Sequence, residues 1–86
     1  MASKTVAVGS SVGLHARPAA IIAEAAADFD DEVTLSVEGE EGVDASSPLL
    51  IMTLGAEKGV LVTVESDSAE AVEIIAALVE KDLDAE

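Results

Sequence analysis

Apolar and polar residues alternate in four short segments of this chain, which is the pattern expected of half-buried strands. The alternation is clearest at Val33, Leu35 and Val37, which point to one side while the polar residues between them point to the other. A glycine-containing turn at residues 39–42 joins two of these segments and predicts a hairpin. The predicted strands cover residues 4–8, 32–38, 43–45 and 60–65.

Three further segments are predicted helices, of which the first and the third repeat apolar residues at spacings of three and four. The first covers residues 17–28 and the second residues 48–54, with Ser47 as the N-cap of the second. The third follows Asp67, whose side chain is expected to cap it and to form a capping box with Glu70. The residues expected to face the core are Ala19, Ile22, Ala26 and Phe29 in the first helix and Val72, Ile74, Ile75, Ala76, Leu78 and Val79 in the third.

The resulting order, β-α-β-β-α-β-α, predicts an α+β fold with one domain over residues 1–86. Because the strands are apolar on one face, we expect an open-faced two-layer sandwich, in which three helices cover one face of a four-stranded antiparallel sheet. The first and second strands should leave a gap that the last strand fills. The sequence shows neither the apolar stretch of a signal peptide nor a membrane-spanning run, so a cytoplasmic location is expected.

The charge of the chain is strongly one-sided, with 18 acidic residues, four basic ones and a net charge of −14 at pH 7. This charge opposes binding to nucleic acid, and without tryptophan or tyrosine there is no usual stacking platform for single strands. The small number of lysines indicates a halophilic protein, in which salt screens the repulsion between acidic side chains. An ordinary acidic protein is the alternative. Without cysteine, and with acidic clusters that lack EF-hand spacing, we expect no metal and no cofactor.

The segment Gly-Leu-His-Ala-Arg-Pro-Ala at residues 13–19 carries the candidate chemistry. It contains the only histidine, His15, and lies between the first predicted strand and the first predicted helix. Pro18 is tolerated in the first turn of a helix, so His15 stands at a helix N-terminus, where unpaired N–H groups favour an anion. The anion could be bound there or carried covalently on the imidazole. Residue types alone leave an alternative open, in which His15 is an ordinary surface residue and Arg17 pairs with an acid.

The same segment resembles the active-site segment of the HPr family, the histidine-containing phosphocarriers of the phosphoenolpyruvate-dependent sugar phosphotransferase system. A second stretch, Ile-Met-Thr-Leu-Gly-Ala-Glu-Lys-Gly at residues 51–59, is similar to the Met-Ser-Leu-Gly…Lys-Gly stretch of that family. Length and element order fit the family over essentially the whole chain.

The resemblance implies a phosphocarrier rather than an enzyme, which works as a monomer in sugar uptake and phosphorylation. His15 would accept a phosphoryl group on Nδ1 from phosphorylated Enzyme I and pass it to the A domain of an Enzyme II. The helix N-terminus and Arg17 disfavour a protonated imidazole, which keeps His15 nucleophilic near pH 7. The N–H groups of Ala16 and Arg17, together with the Arg17 guanidinium, can bind the phosphoryl oxygens.

A small apolar patch is expected to surround His15 and to dock on both partners. It is formed by Ala16 and Ala20 of the first helix and by Pro48, Leu49 and Met52 of the second.

The outer face of the first helix departs from the family pattern. Members often place lysines on this helix, whereas this chain has Glu24 and Ala27 in that part of it. Apolar contact, which salt favours, is therefore expected to contribute more to recognition than charge does.

A serine at the start of the second helix is a regulatory phosphorylation site in some family members. Alignment places that position at Ser47, and Ser46 is the adjacent candidate. The usual Lys-Ser-Ile-Met-Gly surroundings are absent, so capping is the expected main role of Ser47.

Two other classes of protein compete with the carrier interpretation. One is a regulatory relative that binds proteins without carrying phosphate, against which the presence of both His15 and Arg17 argues. The other is a small-molecule-binding regulatory domain with a similar βαββαβ core, which would need a ligand pocket, commonly at a subunit interface.

Overall fold

Seven helices and strands follow one another in the predicted order. The computed structural model describes residues 2–9, 13–14, 16–55 and 57–81. The elements are β1 (Ala2–Ala7), α1 (Ala16–Ala27), β2 (Val33–Val37), β3 (Val43–Asp44), α2 (Pro48–Thr53), β4 (Leu61–Ser66) and α3 (Ala69–Glu80). The four strands pair antiparallel in the order β1-β4-β2-β3, so the last strand fills the gap between the first two, as predicted.

The inner face of the sheet is built from the alternating apolar residues. In the centre, Val62 of β4 lies between Val6 of β1 and Val37 of β2. Val62, Val64 and Leu35 are completely buried, because α1 and α3 pack against this face with their own apolar stripes. The predicted two-layer sandwich is confirmed.

The outer face of the sheet is mostly polar, which follows from the period of two along each strand. Thr5 of β1 and Thr63 of β4 lie opposite each other, and their Oγ1 atoms are 2.9 Å apart, within hydrogen-bond distance. Glu65 lies between Ser3 and Thr34 in the next row of the sheet.

The two long helices bury mainly small or branched side chains. The buried residues are Pro18, Ala19, Ile22, Ala23 and Ala26 in α1, and Ala71, Val72, Ile75, Ala76 and Val79 in α3. Phe29, the single aromatic residue of the chain, packs half-buried against this core. None of the described helices is long and apolar enough to cross a membrane.

The prediction for the start of α3 is wrong by one residue. Ser68, not Asp67, is the N-cap, and its Oγ accepts the N–H of Ala71 at 3.2 Å. Ser66 pairs with Ala2 and Val33 and so extends β4 one residue further than predicted, and its Oγ accepts the N–H of Ser68 at 3.2 Å. With Ser68 as the cap, Glu70 lies one position too early for a capping box, although its charge still suits the first turn.

The predicted inner stripe of α3 is correct except at one edge. Ile74 is 41% exposed, whereas Leu78 is half-buried. The stripe is centred on Ile75, and the preceding residue is turned away by about 100°. The glycines and serines of residues 9–13 predict a turn, of which residues 10–12 lie outside the described part of the chain, as does the acidic end at residues 82–86.

Candidate functional site

The segment that leads from β1 toward α1 is held firmly at its start. The N–H of Val8 donates to the carbonyl of Val60 at 3.0 Å, and the N–H of Gly59 donates to the carbonyl of Val8 at 2.9 Å. The next residue, Gly9, donates its N–H to the carbonyl of Val79, near the end of α3, at 3.1 Å. The loop before β4 and the end of α3 therefore fix the direction in which the candidate segment leaves the sheet.

Glycine and a buried leucine control the approach to the helix. A Cβ on Gly9 would lie 1.9 Å from the backbone oxygen of Glu80, so this close approach requires glycine in the present arrangement. Gly13 has a φ of 79°, which is in the left-handed region, and Leu14 is only 4% exposed. Together these residues fix the backbone immediately before His15, which itself lies outside the described residues.

The first turn of α1 is where the sequence predicts an anion site. The helix begins at Ala16, and Pro18 lies buried in the first turn, where its missing N–H removes no helical bond. Ala16 and Arg17 are exposed. Because the first turn contains no acidic residue, no acidic side chain of that turn neutralises the positive end of the helix dipole.

One face of α1 remains open to solvent along its length. The exposed residues Arg17, Ala20, Glu24 and Ala27 follow one another at spacings of three and four. The positive charge therefore lies at the N-terminal end of this face, and a negative charge lies two turns further on.

The second helix starts as predicted and ends one residue earlier than predicted, at Thr53. Ser47 is its N-cap, and the Ser47 Oγ accepts the N–H of Leu50 at 3.3 Å. Pro48 occupies the first helical position, and Gly55, with a φ of 63°, follows the C-cap Leu54. The predicted cap is present, and regulatory phosphorylation of Ser47 stays the alternative.

The outer surface of α2 is apolar and exposed. Pro48 is exposed, Leu49 is 72% exposed and Met52 is half-buried, while Ile51 holds the helix to the core. Leu50, which the sequence analysis did not single out, is also 41% exposed. Residues 45–55 contain no charged side chain, which sets this stretch apart in a chain with a net charge of −14. The helices α1 and α2 pack against each other.

A hydrogen-bonded turn that sequence reasoning missed precedes α2. Asp44 Oδ1 accepts the backbone N–H of Ser46 at 2.9 Å and the Ser46 hydroxyl at 2.7 Å. The Ser46 hydroxyl bond, followed by the Ser46 backbone bond, lowers the pKa of Asp44, although slight burial opposes the shift. An aspartate two residues before a serine is a recognised turn signal and could have indicated this arrangement.

Two surface cavities lie along α1 away from its first turn. One, of about 430 Å³, is bordered by Phe29 and by the carboxylate-bearing residues Asp30, Asp31, Glu32 and Asp44. The other, of about 350 Å³, lies between α1 and α3, with Ile21, Glu24, Ala25, Asp28 and Leu78 around it. Within the described ranges, no three His, Cys, Asp or Glu side chains are arranged to hold a metal ion.

Comparison with known proteins gives one consistent family. Residues 2–81 match the family described as PTS HPr component phosphorylation site. Phosphocarrier protein HPr of Vibrio cholerae serotype O1 (strain ATCC 39315 / El Tor Inaba N16961) is 35% identical over 79 residues, which cover 92% of each chain.

Solved structures of the same family have the same fold. The crystal structure of phosphocarrier protein HPr from Bacillus anthracis str. Ames aligns with a TM-score of 0.82 and 33% identity, covering 91% of this chain and 95% of that one. The crystal structure of HPr-C-His from Thermoanaerobacter tengcongensis aligns with a TM-score of 0.83 and 30% identity, covering 93% of this chain and 92% of that one.

Proposed function

Because the chain belongs to the HPr family, the phosphocarriers of the phosphotransferase system, we propose that His15 takes a phosphoryl group from phosphorylated Enzyme I and passes it to the A domain of an Enzyme II. HPr proteins are carriers rather than enzymes. The observation that supports this proposal most is that His15 directly precedes Ala16, the first residue of a helix whose first turn carries no acid.

The proposed chemistry is two successive phosphoryl transfers. In the first, the lone pair of His15 Nδ1 attacks phosphorus, a nitrogen–phosphorus bond forms, and the bond to the donor group of Enzyme I breaks with its electron pair retained by the donor. In the second, a nucleophile of the acceptor domain attacks the same phosphorus, and the imidazole of His15 recovers the electron pair. No cofactor or metal is needed on this chain for either step.

The first turn of α1 would stabilise the charge of the transferred group. The backbone N–H groups of Ala16 and Arg17 are the donors nearest to position 15, since Pro18 has none. The Arg17 guanidinium can bind phosphoryl oxygens in fork geometry. Positioning and charge stabilisation are the main requirements of phosphoryl transfer, and these groups supply both.

We assign the recognition of both partners to one docking patch, formed by Ala16, Ala20, Pro48, Leu49 and Met52. Four of these residues are exposed and Met52 is half-buried, and they lie on two helices that pack against each other. A small apolar surface of this kind suits transient binding, in which the carrier must leave each partner quickly.

The acidic surface sets the conditions under which the proposed carrier works. We assign the protein to the cytoplasm of a halophilic cell, where salt screens its charge of −14. With Glu24 and Ala27 on the open face of α1, docking depends more on apolar contact than on attraction between charges. The carrier would act as a monomer without binding nucleic acid.

A reconstituted relay tests the proposal. The protein is incubated with phosphoenolpyruvate and Enzyme I of the same cell, and its intact mass is measured before and after addition of the Enzyme II A domain. We expect the mass of one phosphoryl group to appear and then to be lost. The His15→Ala variant should gain no mass in the same reaction, and undiminished labelling of this variant would refute the assignment of His15.

A further inference from the structure

One carboxylate holds the short connection between β3 and α2. Asp44 Oδ1 accepts the N–H of Ser46 at 2.9 Å and the Ser46 hydroxyl at 2.7 Å. The backbone carbonyl of Asp44 accepts the N–H of Ser47 at 3.1 Å. Asp44 therefore binds donors from both residues that precede α2, and we call this arrangement of Asp44, Ser46 and Ser47 the Asp44 clasp.

The clasp matters because α2 cannot fix its own direction. A helix of six residues has fewer than two turns and is not stable in isolation. Its start depends on the Ser47 cap and on the completely buried Ala45, whose N–H donates to the carbonyl of Val33 at 2.8 Å. The chain thus passes from a fixed point on the sheet to the first helical residue through a turn that Asp44 closes.

The exposed apolar residues of the docking patch follow this turn immediately. Pro48 and Leu49 are the first two residues of α2, and Leu49 is 72% exposed. A change in the angle at which the helix begins moves these two side chains directly, whereas Ile51 is anchored in the core. Their direction is therefore the feature of the patch most sensitive to the clasp.

The Asp44 side chain lies at an exposed position on the edge of an acidic cavity. Asp44 and Ser46 border the same cavity as Asp30, Asp31 and Glu32. Because Asp44 is exposed, the Ser46 bonds rather than burial hold its carboxylate in the turn. An uncharged acceptor of the same shape would keep these hydrogen bonds.

We propose that Asp44 is a positioning residue, which fixes the direction of Pro48 and Leu49 for the protein partners that dock on α2. The inference rests on the proposed function, and it identifies a determinant of recognition outside the docking patch itself. It also assigns both candidate regulatory hydroxyls a structural bond, that of Ser46 to Asp44 and that of Ser47 to the N–H of Leu50.

Steady-state kinetics of the Enzyme I reaction test this role, with the protein as the varied substrate. For Asp44→Ala, we expect KM to rise on the order of threefold to tenfold while kcat stays within about twofold, because docking changes and His15 does not. Asp44→Asn keeps the acceptor oxygen and should restore KM to within about twofold of the parent value. An unchanged KM in Asp44→Ala, or a failure of the asparagine variant to restore it, would overturn the proposal.

A matched variant and a second measurement separate the clasp from a general loss of charge or stability. Glu41→Ala removes an exposed carboxylate from the same hairpin and should leave KM unchanged. In amide hydrogen exchange, Asp44→Ala should lower the protection of Leu50 and Ile51 while the protection of Val62 and Val64 in β4 is retained. Equal loss of protection in β4 would show that Asp44 supports the whole fold and would contradict the positioning role.

The proposed function and this inference fail in different ways. If the parent protein gains no phosphoryl group, the carrier proposal is wrong, and the hydrogen-exchange comparison still decides whether Asp44 orders α2. If the parent protein is phosphorylated and Asp44→Ala has the same KM, the carrier proposal stands and the inference is wrong. Ser46→Ala, which removes only the hydroxyl bond, should give a KM between those of the parent and of Asp44→Ala. If Asp44→Ala does not fold, the KM of Ser46→Ala tests the inference in its place.

Discussion

The two ends of α1 present opposite electrostatic environments. At its N-terminus the first turn has no acidic residue, and Arg17 adds a positive charge to the positive end of the helix dipole. Beyond its C-terminus, Asp28, Asp30, Asp31 and Glu32 crowd the carbonyl end, where the dipole is already negative and the last turn has no basic residue. The first arrangement favours a bound anion, and the second lowers stability in dilute buffer.

This difference shows that acidity is distributed selectively over the molecule. Acidic residues gather at the C-terminal end of α1, where the helix dipole makes negative charge unfavourable. This placement is unexpected for a surface optimised for stability in low salt. By contrast, the uncharged stretch at residues 45–55 contains Pro48, Leu49 and Met52, three of the residues that we assign to docking. We therefore interpret the acidic surface as an adaptation to salt, and the proposed site as a region without this excess of acidic residues.

The largest expected effect comes from reversing the charge pattern of α1. Arg17→Ala should fold normally but slow transfer from Enzyme I on the order of tenfold to a hundredfold, because the phosphoryl oxygens lose their cation. Ala20→Glu, which places an acid beside the site, should slow it on the order of tenfold.

The matched control for charge is at the other end of the same exposed face. Ala27→Glu adds the same side chain where acids already gather, and it should leave the transfer rate within about twofold of the parent. Rapid mixing followed by intact-mass measurement gives the three rates. Equal rates in Ala20→Glu and Ala27→Glu would show that the first turn of α1 has no special role.

The next largest effect concerns salt. We expect the melting temperature to rise steeply from millimolar to molar KCl, first because self-repulsion is screened and then because apolar burial is strengthened. The double variant Asp30→Asn, Asp31→Asn should flatten the low-salt part of the curve more than Glu40→Gln, Glu41→Gln, since only the first pair lies near the negative end of a helix. Thermal melts at pH 7 measure this, and a parent melting temperature independent of salt would refute the halophilic interpretation.

A smaller effect is expected at the helix caps. Ser47→Ala and Ser68→Ala should each lower the free energy of unfolding by about 0.5–2 kcal/mol, because each removes an acceptor from a helix N-terminus. Asp67→Ala, which removes the neighbouring carboxylate, should change it by less than about 0.5 kcal/mol. Chemical denaturation of the three variants measures these losses in the free energy of unfolding. A larger loss in Asp67→Ala than in Ser68→Ala would contradict the observed start of α3.

The smallest effect is the pH dependence that Asp44 contributes. Its pKa is lowered from 3.8 by the Ser46 bonds, so its charged form adds stability above that value, and this is lost as the pH falls through the lower pKa of the folded state. The melting temperatures of the parent and of Asp44→Asn should therefore differ by a constant amount above about pH 5. Below pH 3.8 the melting temperature of the parent should fall more than that of the variant. A difference that stays constant down to pH 3 would show that the bonds do not depend on ionisation.

The sequence allowed the order of the elements to be predicted because each long element repeats its pattern several times. Val33, Leu35 and Val37 define a strand face, and the α3 stripe runs through three turns. Where two residues can each cap a helix, as Asp67 and Ser68 can, the strand that ends at Ser66 decides between them, and that contact is not visible in a sequence pattern.

Only part of the candidate site could be predicted from the sequence. The segment at residues 13–19 could be identified because its residue types are specific, and α1 begins within it at Ala16, one residue earlier than predicted. The exposure of Leu50 could not be predicted, because a helix of six residues contains too few turns to define a face. The Asp44 clasp depends on how the hairpin meets α2, which packing against α1 and the sheet determines.

The central claim, that the N-terminus of α1 holds a phosphoryl group on His15, can be tested by the chemistry of the labelled protein. After reaction with phosphoenolpyruvate and Enzyme I, fragments of the protein are examined by tandem mass spectrometry following brief treatment with acid or with base. We predict one phosphoryl group at residue 15 that acid removes and base does not. An acid-stable group at Ser46 or Ser47, with residue 15 unmodified, would contradict the account.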